Sequence, residues 1–317
     1  MTDQRTYLEV KRTVDDRALN RRVLERFVEG LDARSSPVRI VEIGAGIGTM
    51  IARLAAWDCL PDEVAYRAVD RDAESVRYAR ERVPEWLEDA GYAVERLEDD
   101  RGGTTLLARS GGQRLEVTLE VADGFEIEDR ADAVIASAVL DIVDLERAVP
   151  AIEALLEPDG LLYAPITFDG GTTFAPPDPA DDRIERRYHH HMDAVRSAGG
   201  SRVGRELLWR LPDAGWSVLE AGGSDWVVRP RAEGARAGTE TETEMEYPDG
   251  ERSFLEGLLE TIDGALAELE TDERESGIGD LEPAERRRWL ERRRNELESG
   301  ELVFVAHNLD VLARPPE

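Results

Sequence analysis

Short apolar runs alternate with amphipathic helical segments over most of the first half of the chain. Buried-strand patterns occupy residues 38–43, 64–69, 133–136 and 161–168, and helical patterns occupy residues 49–57, 73–90 and 145–156. Strands separated by helices in this way are typical of a parallel sheet whose crossovers cover it on both sides. The alternation therefore predicts an α/β fold with a doubly wound, mostly parallel sheet. Two further strand-like runs, 104–108 and 115–121, are joined by Ser110-Gly111-Gly112 and predict a hairpin.

The two ends of the chain follow other patterns. Residues 5–31 have helical periodicity, and Ser35, Ser36 and Pro37 end it. After residue 168 the patterns predict helices at 183–197, 203–214, 254–269 and 284–298 and late strands at 216–228 and 302–312. We therefore expect an N-terminal helical cap (1–34), a Rossmann-like core (35–230), a linker with a helical insertion (231–300) and the last core strand (301–317). The Thr/Glu-rich run at 239–246 is expected to be flexible.

The charge balance limits the class of partner. The chain carries 69 acidic and 40 basic residues, a formal net charge of −29, and Lys11 is its single lysine. Such a balance disfavours a general nucleic-acid-coating protein, which needs cations for the phosphates. The excess carboxylates are dispersed rather than gathered in one tail, and this resembles proteins of salt-accumulating halophilic archaea, in which self-repulsion is screened.

Composition also sets expectations about compartment. Cys59 is the only cysteine, so an intrachain disulfide or a thiolate metal cluster is impossible and a reducing cytoplasm fits. No apolar run reaches the roughly 18 residues of a membrane span, and the first thirty residues are charged throughout, so we expect neither a membrane segment nor a signal peptide.

A glycine-rich loop follows the first strand and opens a helix. Glu42-Ile43-Gly44-Ala45-Gly46-Ile47-Gly48 lies where a nucleotide loop is expected, since glycine permits a tight turn and the helix N-terminus attracts an anionic group. Dinucleotide-binding proteins space their glycines as G-x-G-x-x-G. Here the third glycine comes one residue early, and Thr49 stands where that motif has glycine.

The spacing Glu-x-Gly-x-Gly-x-Gly resembles the first motif of the class I S-adenosylmethionine-dependent methyltransferases. The resemblance covers about residues 38–168 and implies that the methionine part of the cofactor lies over the loop. It also implies that Asp70, after the second strand, holds both ribose hydroxyls, that Asp123 takes the adenine amino group, and that the segment from Ala136 to Asp141 lies beside the reaction centre. The implied cofactor-binding residues are Glu42, Gly44, Ala45, Gly46, Gly48, Asp70, Arg71, Asp123, Gly124 and Ser137. The resemblance further implies an antiparallel last strand. For Asp72 and Asp132 we expect helix capping instead.

Methyl transfer requires alignment, exclusion of water and in some reactions a general base. His191 lies at the edge of an apolar helix face, so it is either a base or a packed histidine, and Asp141 can orient the substrate or cap a helix. His307 lies within the predicted last strand and is expected to be a buried structural histidine. The run His189-His190-His191 is not expected to chelate a metal ion, because consecutive helical side chains diverge.

The remaining candidates concern substrate and partners. Tyr7, Lys11 and Arg12 are the polar groups of the N-terminal helix expected to face a pocket, and Phe168 and Phe174 flank Gly170-Gly171 and can wall a small-molecule site. Arg286–288 and Arg292–294 flank Trp289, and the nearby glutamates favour a salt-bridged helix face over a nucleic-acid surface.

Together these features predict a methyltransferase for a small molecule, with S-adenosyl-L-methionine as cofactor and no metal. The insertion is expected to be a lid or a dimer surface, so a homodimer is among the expected assemblies. Three alternatives stay open: a nucleic-acid or protein methyltransferase that docks through residues 284–298, a dinucleotide oxidoreductase, and a non-catalytic cofactor-binding protein.

Overall fold

A computed structural model describes residues 4–98, 104–232, 245–276 and 281–316 of the chain. The helices are α1 (Gln4–Ala18), α2 (Arg21–Asp32), α3 (Thr49–Ala56), α4 (Ala73–Asp89), α5 (Leu145–Leu155), α6 (Asp181–His190), α7 (Val203–Asp213), α8 (Glu251–Ser276) and α9 (Pro283–Glu298). The strands are β1 (Val38–Ile43), β2 (Glu63–Asp70), β3 (Ala93–Glu98), β4 (Thr104–Ser110), β5 (Gln113–Val121), β6 (Ala131–Ile135), β7 (Leu156–Phe168), β8 (Thr173–Ala175), β9 (Ser217–Gly223), β10 (Trp226–Val228), β11 (Arg231–Ala232), β12 (Met245–Glu246), β13 (Val303–Ala306) and β14 (Asn308–Arg314).

The chain divides into two compact units. Unit 1 comprises Met1–Ala18, Gly170–Ser201 and Asp225–His307, and unit 2 comprises Leu19–Asp169, Arg202–Ser224 and Asn308–Glu317. This division differs from the boundaries expected from the sequence, because the expected cap at 1–34 and the expected core at 35–230 each contribute to both units. Periodicity along a segment reports its local structure and does not specify which sheet or helix the segment packs on.

Unit 2 contains a nine-stranded sheet in the order β3-β4-β5-β2-β1-β6-β7-β14-β9. The strands β5, β2, β1, β6 and β7 are parallel, whereas β14 is antiparallel to both β7 and β9. The expected doubly wound, mostly parallel sheet with an antiparallel last strand is therefore confirmed. The hairpin of β4 and β5 is confirmed as well, and it is antiparallel through Ser110 and Gln113.

Helices cover both faces of this sheet, as β7 shows. Tyr163 stacks on Phe27 of α2 with ring centroids 4.7 Å apart. The next residue along the strand, Ala164, belongs instead to the apolar cluster that holds Ile152 of α5 and Leu207 of α7. Because successive side chains of a strand point to opposite faces, α2 lies on one side of the sheet and α5 and α7 on the other.

The N-terminal segment forms two helices rather than the single helix expected over 5–31. Asn20 has extended backbone angles, and its side chain accepts a hydrogen bond from Val23 N–H at 3.3 Å, which caps α2. Its own backbone N–H donates to the Asp310 carboxylate at 2.8 Å. Asparagine favours caps over helix interiors, and this capping divides the predicted helix.

Unit 1 is built from α1, α6, α8 and α9 around a three-stranded sheet in the order β10-β13-β8, and β11 pairs with β12. The late strand expected at 216–228 divides into β9 and β10, and the one expected at 302–312 divides into β13 and β14. In each case one part, β9 or β14, belongs to the nine-stranded sheet, and the other, β10 or β13, belongs to the three-stranded sheet. Of the expected flexible run 239–246, residues 239–244 lie outside the described residues. Within the described ranges, no helix is both long and apolar enough to cross a membrane.

Candidate functional site

The carboxyl ends of four neighbouring parallel strands gather most of the expected cofactor residues of unit 2. Among these strands, in the order β5-β2-β1-β6, β2 ends at Asp70, and the others are followed within two residues by Asp123, by the glycine loop 44–48 and by Ser137. Parallel neighbours end at the same edge of a sheet, and that edge is where open α/β sheets bind ligands. We call these four strand ends and the segments that follow them the loop edge.

The glycine loop has a backbone that side chains would obstruct. Gly44, Gly46 and Gly48 have φ angles of 67°, 53° and 82°. A Cβ atom on Gly44 would lie 2.5 Å from a methyl group of Val139, and one on Gly48 would lie 2.5 Å from a methyl group of Val83. Only glycine fits such positions without strain, so the loop is a close-packed turn.

The helix that follows the loop begins without a side-chain cap. Gly48 is the N-cap residue of α3 and makes no side-chain hydrogen bond. Within the loop, Ala45 N–H donates to Val69 C=O at 2.9 Å, and Gly48 N–H donates to Ala45 C=O at 2.8 Å. The first-turn amides of α3 therefore favour an anionic group such as a carboxylate.

Asp70 connects β2 to this loop. One carboxylate oxygen accepts a hydrogen bond from Gly46 N–H at 2.7 Å, and the other accepts from Asp72 N–H at 2.8 Å. Each carboxylate oxygen has a second lone pair, so Asp70 can still accept a pair of hydroxyl groups. Asp72 itself caps α4, as expected, by accepting from the amides of Glu74 and Ser75.

The Asp123 carboxylate is held by one backbone amide and two arginine side chains. Its carboxylate accepts hydrogen bonds from Phe125 N–H at 3.0 Å, from Arg71 at 2.5 Å and from Arg147 at 3.0 Å. Burial raises the pKa of Asp123, but these hydrogen bonds and the two guanidinium charges outweigh burial and lower it below its ordinary value. A bound adenine amino group would have to share this carboxylate with Arg71 and Arg147. Arg71, which is also expected to contact the cofactor, thus contacts a second expected cofactor residue, Asp123.

Two of the expected cofactor residues occupy the core behind the loop edge. Glu42 is 2% exposed, and its carboxyl group accepts a hydrogen bond from the Tyr66 hydroxyl at 2.8 Å. Burial, with a smaller contribution from Asp70, raises the pKa of Glu42 to about 8 although Tyr66 and Arg53 act in the opposite direction. Gly124 is a packing position, because a Cβ atom there would lie 2.5 Å from Ile43.

The segment after β6 lies against the glycine loop through the contact of Val139 with Gly44. Ala138 has a φ of 52°, and its N–H donates to Pro165 C=O at 3.0 Å. Ser137 is half-buried two residues after the end of β6, and Asp141 lies in the 3-10 turn Leu140–Ile142. Asp132, expected to be a helix cap, lies at the start of β6 and accepts from Arg39 N–H at 2.8 Å.

At the carboxyl end of β7, a buried carboxylate holds a strained residue. Ile166 has a φ of 55°, which is unfavourable for a β-branched side chain, and its N–H donates to Asp310 at 2.8 Å. Asp310 lies at a register shift of β14, and burial raises its pKa to about 6 despite the hydrogen bonds that it accepts. Sequence patterns gave no signal for this pair, because a bulge depends on the partner strand.

The histidines lie in unit 1. The helical pattern expected over 183–197 changes at residue 190, and His191–Val195 forms a π-helical turn. His191 is 8% exposed, and its Nε2 lies 2.7 Å from a carboxylate oxygen of Glu268 on α8. His189 lies 3.0 Å from the Thr172 hydroxyl. The part of the chain that the structure describes has no group of three or more His, Cys, Asp or Glu residues that could hold a metal ion.

His307 corrects an expectation. It lies between β13 and β14 rather than inside one strand, and its side chain is 39% exposed. Its Nδ1 lies 2.6 Å from the Asp225 carboxylate. A buried structural role for His307 is therefore wrong, because the strand ends one residue earlier and removes the alternation on which that role depended.

The polar groups of α1 have partners within unit 1. The Lys11 ammonium group lies 2.7 Å from the Asp15 carboxylate and 4.7 Å from the centroid of the Trp226 ring. Tyr7 stacks on Phe254 with centroids 5.4 Å apart, and burial raises its pKa. Arg12 pairs with Asp16 at 3.9 Å.

The two candidate wall residues fall in different units. Phe168 ends β7 in unit 2, whereas Phe174 belongs to unit 1 and packs on Trp289 and Phe304 with ring centroids 5.4 and 5.2 Å away. The structure therefore accounts for Phe174 by core packing within its own unit.

The arginine-rich helix α9 is salt-bridged, largely to other elements. Arg293 is fully buried and lies 2.6 Å from Asp181, while Arg286 lies 2.8 Å from Glu270. Arg292 pairs with Asp178. These contacts account for half of the six clustered arginines by packing and ion pairing within unit 1.

Similar chains are found among solved structures. No family model matches the sequence, and no curated protein matches it. Among solved structures, a SAM-dependent methyltransferase from Geobacter sulfurreducens in complex with S-adenosyl-L-homocysteine is 14% identical over 99% of this chain and 98% of that chain, with a TM-score of 0.45. A SAM-dependent methyltransferase from Thiobacillus denitrificans is 12% identical over 93% of this chain and 92% of that chain, with a TM-score of 0.42.

Phosphoethanolamine N-methyltransferase 2 from Haemonchus contortus is 14% identical over 94% of this chain and 53% of that chain, with a TM-score of 0.40. Similarity at these levels assigns no activity to the present chain. The strand order and directions within unit 2 define its fold class independently.

Proposed function

We propose that this chain is an S-adenosyl-L-methionine-dependent methyltransferase. The observation that supports the proposal is the composition of the loop edge. It contains the glycine loop, Asp70, Asp123 and the segment 136–141, each at the end of one of four adjacent parallel strands and in the order that the resemblance implies. Each of these groups is common alone. Their joint placement at one edge of one sheet is what favours a single nucleoside-containing ligand.

The groups at the loop edge suit the parts of this cofactor. The glycine loop and the start of α3, which lacks a side-chain cap, suit the amino-acid part of the cofactor with its carboxylate. Asp70 retains acceptor capacity for the two ribose hydroxyls. The cofactor, when bound, supplies an electrophilic methyl group on a sulfonium. Thr49 in place of the third glycine disfavours a pyrophosphate-binding loop.

We further propose a small-molecule methyl acceptor. Asp141 of unit 2 and His191 of unit 1 are separate candidates for the residue that acts on it. The internal ion pairs of Arg286, Arg292 and Arg293 weaken the alternative in which α9 docks nucleic acid. We also propose that the enzyme is cytoplasmic, that it works at high salt and that it can associate as a homodimer.

The decisive experiment is calorimetric titration of the full chain with S-adenosylmethionine, S-adenosylhomocysteine and NAD. We expect both sulfur compounds to bind and NAD to bind more weakly. Asp70→Ala should weaken S-adenosylmethionine binding by about 5- to 150-fold, the equivalent of roughly 1–3 kcal/mol for lost charge-assisted hydrogen bonds. Asp132→Ala is the matched control at the other edge of the sheet and should leave the affinity unchanged.

The outcomes separate the parts of the proposal. Failure of both sulfur compounds to bind, or tighter binding of NAD, would contradict the proposed function. An unchanged affinity of Asp70→Ala would contradict only the ribose assignment. Binding without release of S-adenosylhomocysteine across a panel of phenols, alcohols and amines would favour a non-catalytic cofactor-binding protein.

A further inference from the structure

The peptide group between Pro165 and Ile166 is held on both of its sides within unit 2. Its N–H, which belongs to Ile166, donates to the Asp310 carboxylate at 2.8 Å. Its C=O, which belongs to Pro165, accepts from Ala138 N–H at 3.0 Å. A peptide group is planar, so both contacts act on one rigid plane. Asp310 and Ala138 are therefore connected through a single peptide group, although they lie far apart in the sequence.

Two residues of this network have unfavourable backbone angles. Ala138 and Ile166 have φ angles of 52° and 55°. In the described part of the chain, the other non-glycine residues with positive φ are Asp58 and Asp159, and aspartate tolerates this region better than alanine or a β-branched residue does. Strain of this kind persists only where the surrounding contacts impose it, and it is concentrated at functional sites.

An irregular pairing of β7 with β14 explains why a side chain is needed here. Between its regular pairs, β7 has two residues, Pro165 and Ile166, where β14 has Asp310 alone. Proline has no N–H for the ladder, and the Asp310 carboxylate accepts the Ile166 N–H in place of a backbone carbonyl. Bulges of this kind change the direction of a strand end and are common next to active sites.

The Asp310 side chain is itself held in one orientation. It is fully buried, and its second oxygen accepts from Asn20 N–H, at the start of α2, at 2.8 Å. The carboxylate thus has a backbone donor on each oxygen, one from β7 and one from the segment that caps α2. Because both donors belong to packed elements of unit 2, Asp310 is a rigid anchor for the peptide group.

At the other end of the network, Ala138 belongs to the segment 136–141 of the loop edge. The next residue, Val139, contacts the glycine loop, since a Cβ atom on Gly44 would lie 2.5 Å from one of its methyl groups. The position of Ala138 therefore determines how this segment meets the glycine loop. The effect of Asp310 on the loop edge passes through the peptide group that it shares with Ala138.

We propose that Asp310 is a positioning residue of the loop edge, which fixes the Pro165–Ile166 peptide group and thereby holds the segment 136–141 against the glycine loop in the arrangement that the cofactor requires. This inference rests on the proposed function. Asp310 takes no part in methyl transfer itself. Without its carboxylate, Ala138 can relax from its strained backbone angle, and the segment then loosens from the glycine loop while the strand order is kept.

Hydrogen exchange of the full chain, resolved by residue in NMR spectra, tests the network, and Ala136 is its matched control. Ala136 N–H donates to Tyr163 C=O at 3.0 Å, also from the β6 side to β7, but that carbonyl lies outside the peptide group that Asp310 holds. At about pH 8 Asp310 is ionised, because burial raises its pKa only to about 6. We expect both alanine amides to be protected in the unmodified chain.

Asp310→Asn offers one side-chain oxygen to two N–H donors, so it should loosen the network. We expect the Ala138 amide to exchange at least about 10-fold faster in this variant, and the Ala136 amide to stay within about 3-fold of its original rate. Equal acceleration of both amides would indicate a general loss of stability and would overturn the proposal. An unchanged Ala138 amide would overturn it as well.

The unmodified chain gives a test that does not depend on the folding of a variant. Coupling between two sites is reciprocal, so S-adenosylhomocysteine should slow exchange at Ala138 and Ile166 more than at Ala136. Equal slowing of the three amides, or rapid exchange of Ala138 before the ligand is added, would overturn the proposal.

Cofactor affinity shows whether the held segment matters for binding. In calorimetric titration, S-adenosylhomocysteine should bind about 10-fold more weakly to Asp310→Asn than to the unmodified chain. Asp132→Asn is the control, because the Asp132 carboxylate also accepts a backbone N–H, and it should leave the affinity unchanged. An unchanged affinity of Asp310→Asn would overturn the positioning role alone. Absence of binding to the unmodified chain would contradict the proposed function and this role together.

Discussion

At the scale of single residues, the loop edge depends on groups whose environment changes their chemistry. Asp70 accepts a hydrogen bond from Gly46 of the glycine loop and keeps free acceptor capacity. Glu42 precedes Gly44 of the same loop by two residues and is buried against Tyr66. The side-chain type is acidic in both cases. Burial and the number of donors decide what each carboxyl group can do.

The buried carboxyl of Glu42 predicts a pH-dependent stability. Its pKa in the folded chain is raised from the ordinary 4.5 to about 8, so the folded state retains a proton that the unfolded state has lost. This contribution is fully present below about pH 4.5 and declines as the pH rises through 8, with a slope of at most about 1.4 kcal/mol per pH unit.

Glu42→Gln keeps an acceptor for Tyr66 and removes this titration. Urea unfolding of both proteins between pH 5 and pH 9 should show that the free energy of unfolding falls more steeply with pH in the unmodified chain. Asp132→Asn is the control for a carboxylate outside the core. Parallel pH profiles of the unmodified chain and Glu42→Gln would show that Glu42 is ionised across this range.

At the scale of elements, the sequence pattern of α9 predicts only some of its ion pairs. Its arginines and glutamates indicate a salt-bridged helix, and the structure agrees, since Arg293 pairs with Glu296 three residues later at 2.6 Å. Other contacts of Arg293 come from elsewhere in unit 1, because Arg293 also pairs with Asp181 and donates to Pro176 C=O at 2.7 Å. Helix spacing reports neighbours on the same helix only.

Arg293 and Arg294 make a matched pair for the energetics of this helix. Arg293→Ala removes a fully buried cation from the half-buried carboxylates of Asp181 and Glu296 and should lower the free energy of unfolding by about 3–5 kcal/mol. Arg294 is exposed, so Arg294→Ala should change it by no more than about 0.5 kcal/mol. Urea denaturation followed by tryptophan fluorescence measures both. Equal effects would mean that Arg293 stabilises unit 1 no more than a surface arginine does.

At the scale of the whole molecule, charge and topology are separate matters. The net charge of −29 is dispersed along the sequence, and it bears on the solvent conditions under which the chain is stable rather than on its ligand. The fold of unit 2 is built from apolar strands and their crossovers.

The charge predicts that salt stabilises the chain. Raising KCl from 0.1 to 2 M shortens the Debye length from about 10 Å to below 3 Å and screens the repulsion among carboxylates. We expect a gain of a few kcal/mol, seen as a rise of roughly 5–10 °C in the thermal midpoint. Sucrose at equal osmolality controls for excluded-solute effects. A midpoint that responds equally to sucrose and KCl would contradict an electrostatic origin.

The sequence alone determined the repeated strand–helix units, the glycine loop and the places of Asp70 and Asp123 after their strands. These features are local, since apolar period and turn chemistry are written in contiguous residues. The tertiary structure alone decided that residues 216–228 and 302–312 divide between two sheets. It also decided that Glu42 is buried under Tyr66 and that Glu268 meets His191, 77 residues away. Contacts of this kind depend on which segments fold against each other, and a hydrophobic period specifies a face without naming its partner.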